Sequence, residues 1–554
     1  MKKRKKYGIV WEDKPEQVVD FCKHKLPVLK EIKSKEIVTS KNEPCNFLIE
    51  GDNYHALSVL YYTHKGKIDV IYIDPPYNTG ARDWTYNNNY VDSEDPYRHT
   101  KWLSFMNNRL RIARKLLSNN GIICCTIDDY ELPRLWMLMD EIFSEKNHLG
   151  TIVIRINPGG RKSKREVATQ HEYALFFSRS SSAKVAQIPK PPEEKTHSYK
   201  KDDLGWYEER NLRKEGADSL AKEDSERFYP IYYDPKTGKF STKTKYEVEI
   251  LPLDSSSEKR IWRRDRNVID EMSDKGDLLF KKTKFGPQVY FKFRGGLEGE
   301  TPKSFWDDKK YSASEHGTQI LDKILGRRET FSFPKSPHAV ADCIKVASDK
   351  KNAIILDFFA GSGTTAQAVL ELNKQDGGNR RFILCTNNEN NIATEICYPR
   401  IKRIIEGYTQ NTDKILGLGG NLKYFKTDFV DGEPTDTNKK KLVEQSTEML
   451  CLKEDCFDLV VAGDQFKIFK NPQDQYLGII YYYNGIEPFK NQILKLNKKI
   501  NTYVFSLSGV VDEEEFDDVE HLVNLKPIPI PILNAYRGIL AYVQAKKIPG
   551  EIHQ

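Results

Sequence analysis

Asp74-Pro75-Pro76-Tyr77 closes the apolar run Val70-Ile71-Tyr72-Ile73, and much later Asp357-Phe358-Phe359-Ala360-Gly361-Ser362-Gly363-Thr364-Thr365 closes another, Ile354-Ile355-Leu356. Each reads as a buried strand that stops at a polar turn. In an open α/β sheet, ligands bind outside the carboxyl ends of such strands. The order of the two turns decides the fold.

Around them the chain alternates. Phe47-Leu48-Ile49 reads as a strand and Ala56-Leu57-Val59-Leu60 as a helix before the Pro-Pro turn. Lys101 to Ser118 is amphipathic, with Leu103, Met106, Leu110, Ala113 and Leu117 near helical spacing, and Asn119-Asn120-Gly121 is the expected stop. Strands at 122–127, 151–155 and 173–177 follow, with a helix through Leu135, Met139, Ile142 and Phe143. After the second turn come a helix from Thr364 to Leu372 and the strand Phe382-Ile383-Leu384-Cys385. Strand-helix alternation of this kind argues a mostly parallel sheet. Between about 180 and 314 the pattern breaks into charged, aromatic-rich sequence without helical period, which reads as an insertion. Five segments are expected: an arm over 1–45, sheet halves over 46–179 and 315–430, the insertion over 180–314, and an α+β region over 431–554.

With 554 residues the chain exceeds one core. Charged residues are 30% of it, yet the net charge is only +7, so basic character must be local. No stretch approaches the roughly 20 apolar residues of a membrane span. The basic Met1 to Lys6 has no apolar core behind it, so neither secretion nor a membrane partner is expected. The nine cysteines show no zinc spacing, and a reducing cytoplasm without a bound metal is expected.

The exocyclic amine of a base is a weak nucleophile, because its lone pair is delocalised into the ring. A site that activates it must accept its hydrogen bonds as the nitrogen becomes tetrahedral. Asp74 offers a carboxylate and Pro75 a carbonyl. Pro75 and Pro76 lack N–H groups and have fixed φ, which gives a stiff turn. Tyr77 offers a stacking face, worth about 1–3 kcal/mol per base. A capped Pro-Pro turn explains the tetrapeptide alone equally well. In the second turn, Gly361 and Gly363 permit close approach of a ligand to the backbone, and the following helix presents free amides. A nucleoside-triphosphate loop needs lysine where Thr364 stands. A dinucleotide fingerprint tolerates Ala366 at its third glycine position and stays open as a competitor.

Taken together, these residues resemble the β group of DNA amino-methyltransferases, and within it the adenine-specific modification (Mod) subunits of type III restriction-modification systems. The likeness extends to Tyr7-Gly8-Ile9-Val10-Trp11-Glu12, Ile127-Asp128-Asp129, Gln170-His171-Glu172-Tyr173, Lys303-Ser304-Phe305-Trp306-Asp307-Asp308 and Asn388-Glu389-Asn390-Asn391-Ile392-Ala393-Thr394-Glu395. It implies a Rossmann-like, seven-stranded, doubly wound sheet with permuted motif order. It also implies S-adenosyl-L-methionine as methyl donor and the adenine amine of double-stranded DNA as acceptor. Asp74, Pro75, Pro76 and Tyr77 are then the catalytic turn. Asp357, Phe359, Ala360, Gly361 and Gly363 line the cofactor site. Lys335 corresponds to a lysine near the cofactor's methionine carboxylate, although this chain has Lys335-Ser336-Pro337 where the family has Lys-Pro. Asn387 and Glu389 are alternatives for the ribose. His171, before a buried strand, reads as structural. The resemblance further implies a homodimer, a restriction (helicase-nuclease) partner and a bacterial, nucleoid-associated protein, with the region from about Glu433 as the candidate contact. A catalytically silent DNA-binding specificity subunit and a stand-alone regulatory methyltransferase are the alternatives.

The insertion falls where this group keeps its target-recognition region. Trp262-Arg263-Arg264-Asp265-Arg266 clusters arginines, and Phe280-Lys281-Lys282-Thr283-Lys284-Phe285 interleaves cations with aromatics. Arg263, Arg264, Lys282 and Lys284 are the expected DNA contacts there. Arg161 and Lys162, in a basic loop after a strand, are expected on the DNA backbone.

Overall fold

The computed structural model describes residues 8–40, 43, 45–160, 167–188, 199–203, 205–221, 225–293, 300–328, 331, 334–410 and 413–544. The chain divides into two compact units, Met1–Ala186 with Lys303–Gln554, and Gln187–Pro302.

The first unit is built on one sheet. In chain order its elements are β1 (Lys25–Glu31), β2 (Cys45–Glu50), α1 (Asn53–His64), β3 (Ile68–Ile73), α2 (Arg98–Leu116), β4 (Leu117–Ile127), α3 (Leu132–Phe143), β5 (His148–Arg155) and β6 (His171–Ser178). They continue as β7 (Phe305–Trp306), α4 (Pro337–Ala347), β8 (Ile354–Asp357), α5 (Thr364–Asp376), β9 (Arg381–Thr386), α6 (Tyr398–Glu406) and β10 (Asn421–Asp431). The spatial order is β1-β10-β2-β9-β8-β3-β4-β6-β5-β7. The seven strands from β2 to β5 form the expected doubly wound core, with β6 antiparallel to its neighbours. Three further strands widen it to ten: β10 and β1 at one edge and the short β7 at the other. The chain enters at β2–β3–β4 and returns to the sheet centre with β8 and β9, which is the permuted order.

Both faces of the sheet are covered, so its strands read as unbroken apolar runs. Ile71 and Ile73 of β3, Ile123 and Cys125 of β4 and Leu356 of β8 share a core with Leu57, Leu60, Trp102, Leu110, Leu135 and Met139 of α1 to α3. Val70, Tyr72, Ile122, Cys124 and Ile355, one residue out of phase, are buried too. They face the other way, where α4 packs on β3 and β4 and α5 packs on α4.

Several boundaries differ from those read in the sequence. The arm is not free: residues 25–31 pair antiparallel with β10 as the sheet edge, and Leu26, Val28 and Leu29 are buried in the main core. Helix α2 runs directly into β4, so Asn119-Asn120-Gly121 lies within the strand rather than in a stop between elements. The second unit is narrower than 180–314. Ser180 and Ser182 donate to Asn119 O and Asn120 Oδ1, and Phe305–Trp306 pairs with β5, which holds both flanks in the first unit.

The C-terminal region has its own five-stranded sheet over Asp458–Ala462, Phe466–Lys470, Tyr476–Ile480, Ile500–Phe505 and Val523–Ile528. It still belongs to the first unit. Leu477, Ile479, Tyr503, Ile532 and Tyr536 join the core beneath α1, and the Tyr536 hydroxyl donates to Pro27 O of β1. The second unit contains a four-stranded and a three-stranded sheet and a short helix, Arg266–Asp274, which the sequence pattern did not indicate. No helix among the described residues is long and apolar enough to cross a membrane.

Candidate active site at the carboxyl edge of the sheet

Strands β3 and β8 are adjacent and parallel, with Val70 opposite Ile355 and Ile71 opposite Leu356. Their carboxyl ends therefore deliver Asp74 and Asp357 to one edge. Helix α2 ties the two turns together. Its Trp102 Nε1 donates to Pro76 O at 2.7 Å, and its Phe105 ring lies 5.8 Å from that of Phe359.

The Pro-Pro turn is held from every side. Asn78, fully buried, takes the left-handed conformation with φ 57°. It donates to Glu131 Oε1 at 2.5 Å and accepts from Trp84 Nε1 at 3.0 Å. His99 Nδ1 meets the same Glu131 oxygen. Burial pushes the Glu131 carboxyl up to about 7, against the bonds from Asn78 and Arg134. Asp74 Oδ1 accepts from Thr126 Oγ1 at 2.7 Å and from the Tyr77 hydroxyl at 2.9 Å, and lies 3.3 Å from Lys335 Nζ. Among the described residues no hydrogen bond goes to Asp74 Oδ2 or to the Pro75 carbonyl. One carboxylate oxygen is thus saturated by the protein, and one oxygen on each of two successive residues is left as an acceptor.

Lys335, expected near a cofactor carboxylate, makes its protein contacts at the Asp74 turn. Its ammonium is committed to Glu172 Oε2, contacts the Tyr77 hydroxyl, and lies 4.7 Å from the centre of the Tyr77 ring. It belongs to the Asp74 turn, drawn there by two carboxylates. Those two charges hold the Lys335 pKa above the ordinary lysine value despite burial. Burial, followed by the charges of Asp74 and Glu172, holds the Tyr77 phenol well above its usual range, so it stays a neutral hydroxyl. Glu172 falls within the likeness read in the sequence but was given no role there. It sits one position after His171, whose ring pairs with Tyr173 instead, and alternation along β6 turns Glu172 inward.

The glycine turn is built on Asp357. Its Oδ1 accepts from Phe359 N at 2.9 Å and its Oδ2 from Thr365 Oγ1 at 2.6 Å, which spans the whole loop. Asp357 therefore shapes the turn rather than presenting its oxygens outward. Burial pushes its carboxyl up to about 7, opposed by those two bonds, and the Asp74 charge adds to the rise. Ala360 N donates to Cys385 O, which locks the turn to β9. Gly361 and Gly363 have φ 50° and 80°, a region other residues rarely enter, and Gly363 opens α5. Arg400 of α6, fully buried, braces the turn from below. It donates to Ser362 Oγ at 2.9 Å, Thr364 Oγ1 at 2.8 Å and Gln367 Oε1 at 2.7 Å. Nothing in the local sequence marked it, because the contact spans two elements.

After β9, Asn387 is exposed and Glu389 half-buried, with Thr85 Oγ1 3.5 Å from Glu389 Oε2. Asn388 is occupied in accepting from the Thr394 amide and hydroxyl, both at 3.1 Å. Asp52 and Asn53, at the end of the neighbouring β2, also reach this edge. Asn53 Nδ2 donates to Phe358 O at 3.0 Å, and behind it Arg109 pairs with Glu16 at 2.7 Å. A glycine turn at a helix start, an aromatic at Phe359 and polar groups after β9 fit a nucleoside-bearing cofactor.

In the second unit Trp262 is core, donating to Tyr229 O at 2.7 Å. Arg263, Arg264, Lys282 and Lys284 are exposed, and none of them is in an ion pair among the described residues. Lys282 and Lys284 flank the tip of the hairpin between Leu278–Thr283 and Gly286–Phe293, beside the exposed Phe285. Arg161 and Lys162 lie outside the described residues. Among the described residues no cluster of His, Cys, Asp and Glu has the makings of a metal site.

An acidic proline turn and a glycine turn at neighbouring strand ends of a permuted doubly wound sheet define a DNA methyltransferase. The DNA methylase family matches residues 68–397, more than half the chain, and the chain belongs to that family. It is similar to the type II methyltransferase M.KpnI of Klebsiella pneumoniae, 35% identical over 356 residues that span 63% of this chain and 82% of that one. It is also similar to the Mod subunit of the type III restriction-modification enzyme EcoPI of Escherichia phage P1, 28% identical over 71% of this chain and 68% of that one. Among solved structures, the cytosine-N4-specific PvuII DNA methyltransferase covers 66% of this chain and 90% of its own, at 11% identity and a TM-score of 0.33.

Proposed function

We propose that this chain methylates the exocyclic amine of adenine at specific sites in double-stranded DNA, as the modification subunit of a type III restriction-modification system. The observation that carries this reading is the acceptor pair at the Pro-Pro turn. Asp74 Oδ2 and Pro75 O, on successive residues at the strand end, accept no hydrogen bond among the described residues, while Asp74 Oδ1 is tied down by Thr126 and Tyr77. An amine has two hydrogens to donate, and these two oxygens take them.

S-adenosyl-L-methionine, when bound, supplies a methyl group on a sulfonium. The residues that would hold it are Phe359, Ala360, Gly361 and Gly363, with Asn387 or Glu389 at the ribose. Asp357 acts on it only through the shape of the turn. The chain's own work is positional and electrostatic. A target base leaves the duplex at a cost of a few kcal/mol, stacks on Tyr77, and donates to Asp74 and Pro75. That alignment concentrates the nitrogen lone pair, and the carboxylate stabilises the positive charge that grows on the nitrogen as it is methylated. Arg263, Arg264, Lys282 and Lys284 supply phosphate and base contacts. A homodimer and a helicase-nuclease partner complete the reading, supported by the likeness to Mod subunits.

Incubating the protein with duplex DNA and methyl-labelled cofactor, then digesting the product to nucleosides, tests it. Label in N6-methyladenine is the expected result. Label confined to N4-methylcytosine, or none, would overturn the adenine assignment.

A further inference from the structure

Four side chains converge behind the Pro-Pro turn: Asp74, Tyr77, Glu172 and Lys335. The base-activating scheme above uses only the first two. Glu172 is 1% exposed, and its partner Lys335 is 12% exposed. A carboxylate this deep is retained only where a cation and hydrogen bonds offset its lost hydration. Its Oε2 receives the Lys335 ammonium and lies 3.1 Å from the Tyr77 hydroxyl. The same ammonium is 3.3 Å from Asp74 Oδ1. Two acidic side chains thus share one lysine, and burial, opposed by the Lys335 charge, holds the Glu172 pKa above the ordinary carboxylate value. The other titratable side chains near Glu172 are Tyr72 of β3 and Cys124 of β4, both fully buried and neutral.

The division of Lys335 between two acids has a consequence for the reaction. A lysine with only Asp74 for company would close on it and compete with the target amine for its oxygens. Glu172 holds the ammonium back. Resting on the reading of the site as an amino-methyltransferase, we propose that Glu172 is a positioning residue for methyl transfer: it anchors Lys335 and the Tyr77 hydroxyl, so that Asp74 keeps one oxygen for the target amine.

The test compares the native chain, Glu172→Gln and the double variant Glu172→Gln/Lys335→Met in steady-state methyl transfer, with cofactor affinity measured by calorimetry on each. Misplacing an acceptor by about an ångström costs about 100-fold. Glu172→Gln should therefore lower kcat about 100-fold while KM for DNA and cofactor affinity stay within about twofold. Removing the competing ammonium should return at least tenfold of that loss in the double variant. A purely structural Glu172 gives the opposite order, with the double variant worse than the single one, and that order would overturn the proposal. So would an unchanged kcat in Glu172→Gln. Should Glu172→Gln not fold, Glu172→Asp keeps the charge but withdraws it. Lowered kcat at unchanged KM is then expected, and native kcat would refute the role. If the native chain itself transfers no methyl group to DNA, the functional reading fails first and the role of Glu172 falls with it. An active native chain with an equally active Glu172→Gln sinks this proposal alone.

Discussion

Asp357 illustrates how a single carboxyl group shapes a site without facing a ligand. Its oxygens bridge Phe359 N and Thr365 Oγ1, closing the loop whose glycines need positive φ. Burial raises its pKa from 3.8 to about 7, so between those values the folded chain keeps a proton that the unfolded chain has lost. Its contribution to stability is therefore full below about pH 3.8 and is lost as pH rises through about 7. Unfolding curves of Asp357→Asn and the native chain across that window should converge or cross, with the native chain losing stability relative to the variant as pH rises. Parallel curves would place the group's pKa near its ordinary value. The residue scale is also where sequence reading worked best. Asp74, Tyr77, Gly361 and Gly363 were legible because each is in a short, contiguous motif whose chemistry follows from residue type. Glu172 and Lys335 lie far apart in sequence. Their common destination beside Asp74 is set by the sheet order, which no local motif displays.

At the scale of elements, the site depends on braces that cross between helices and turns. Arg400 on α6 reaches under the glycine turn and holds Ser362, Thr364 and Gln367. Replacing it with Met removes the donors but leaves those buried acceptors in place, at a cost of about 1–3 kcal/mol for each group left unsatisfied. Arg400→Met should lower stability by about 3 kcal/mol and weaken cofactor binding, both readable in a thermal-shift titration. Unchanged values would remove Arg400 from this role. Strands β3, β4, β8 and β9 were readable because full burial makes each a short apolar run with a polar end. The helical stop at Asn119-Asn120-Gly121 was misread because β4 starts at Leu117 without a loop, and pairing with β3 overrides local turn preference. The edge strand β1 escaped notice for a related reason, since its sheet partner among the described residues, β10 (Asn421–Asp431), is distant in the sequence.

At the scale of the whole molecule, the second unit is inserted in the sequence between the segments that supply the two halves of one sheet. A chain interrupted there keeps its catalytic edge intact, because β3 and β8 pair regardless of what joins them. Under the proposed function, the exposed cations of the second unit contact DNA phosphates. Lys282→Ala/Lys284→Ala should weaken duplex binding across sequences and flatten the log–log salt dependence by about two, while methyl transfer at saturating DNA is retained. A slope equal to that of the native chain would remove the hairpin tip from the DNA interface. The C-terminal sheet, by contrast, shares its core with α1, so its place in the first unit follows from packing and was not visible in composition.

The account as a whole rests on Asp74 receiving the target amine beside a separately built cofactor turn. Single-turnover methyl transfer by Asp74→Ala, with cofactor affinity measured in parallel, tests that most directly. Transfer to adenine should vanish while cofactor affinity stays within about twofold of native, since the glycine turn is held by Asp357, Arg400 and the Ala360–Cys385 backbone bond, none of which needs the Asp74 side chain. Native-rate transfer by the variant, or loss of cofactor binding along with activity, would contradict it.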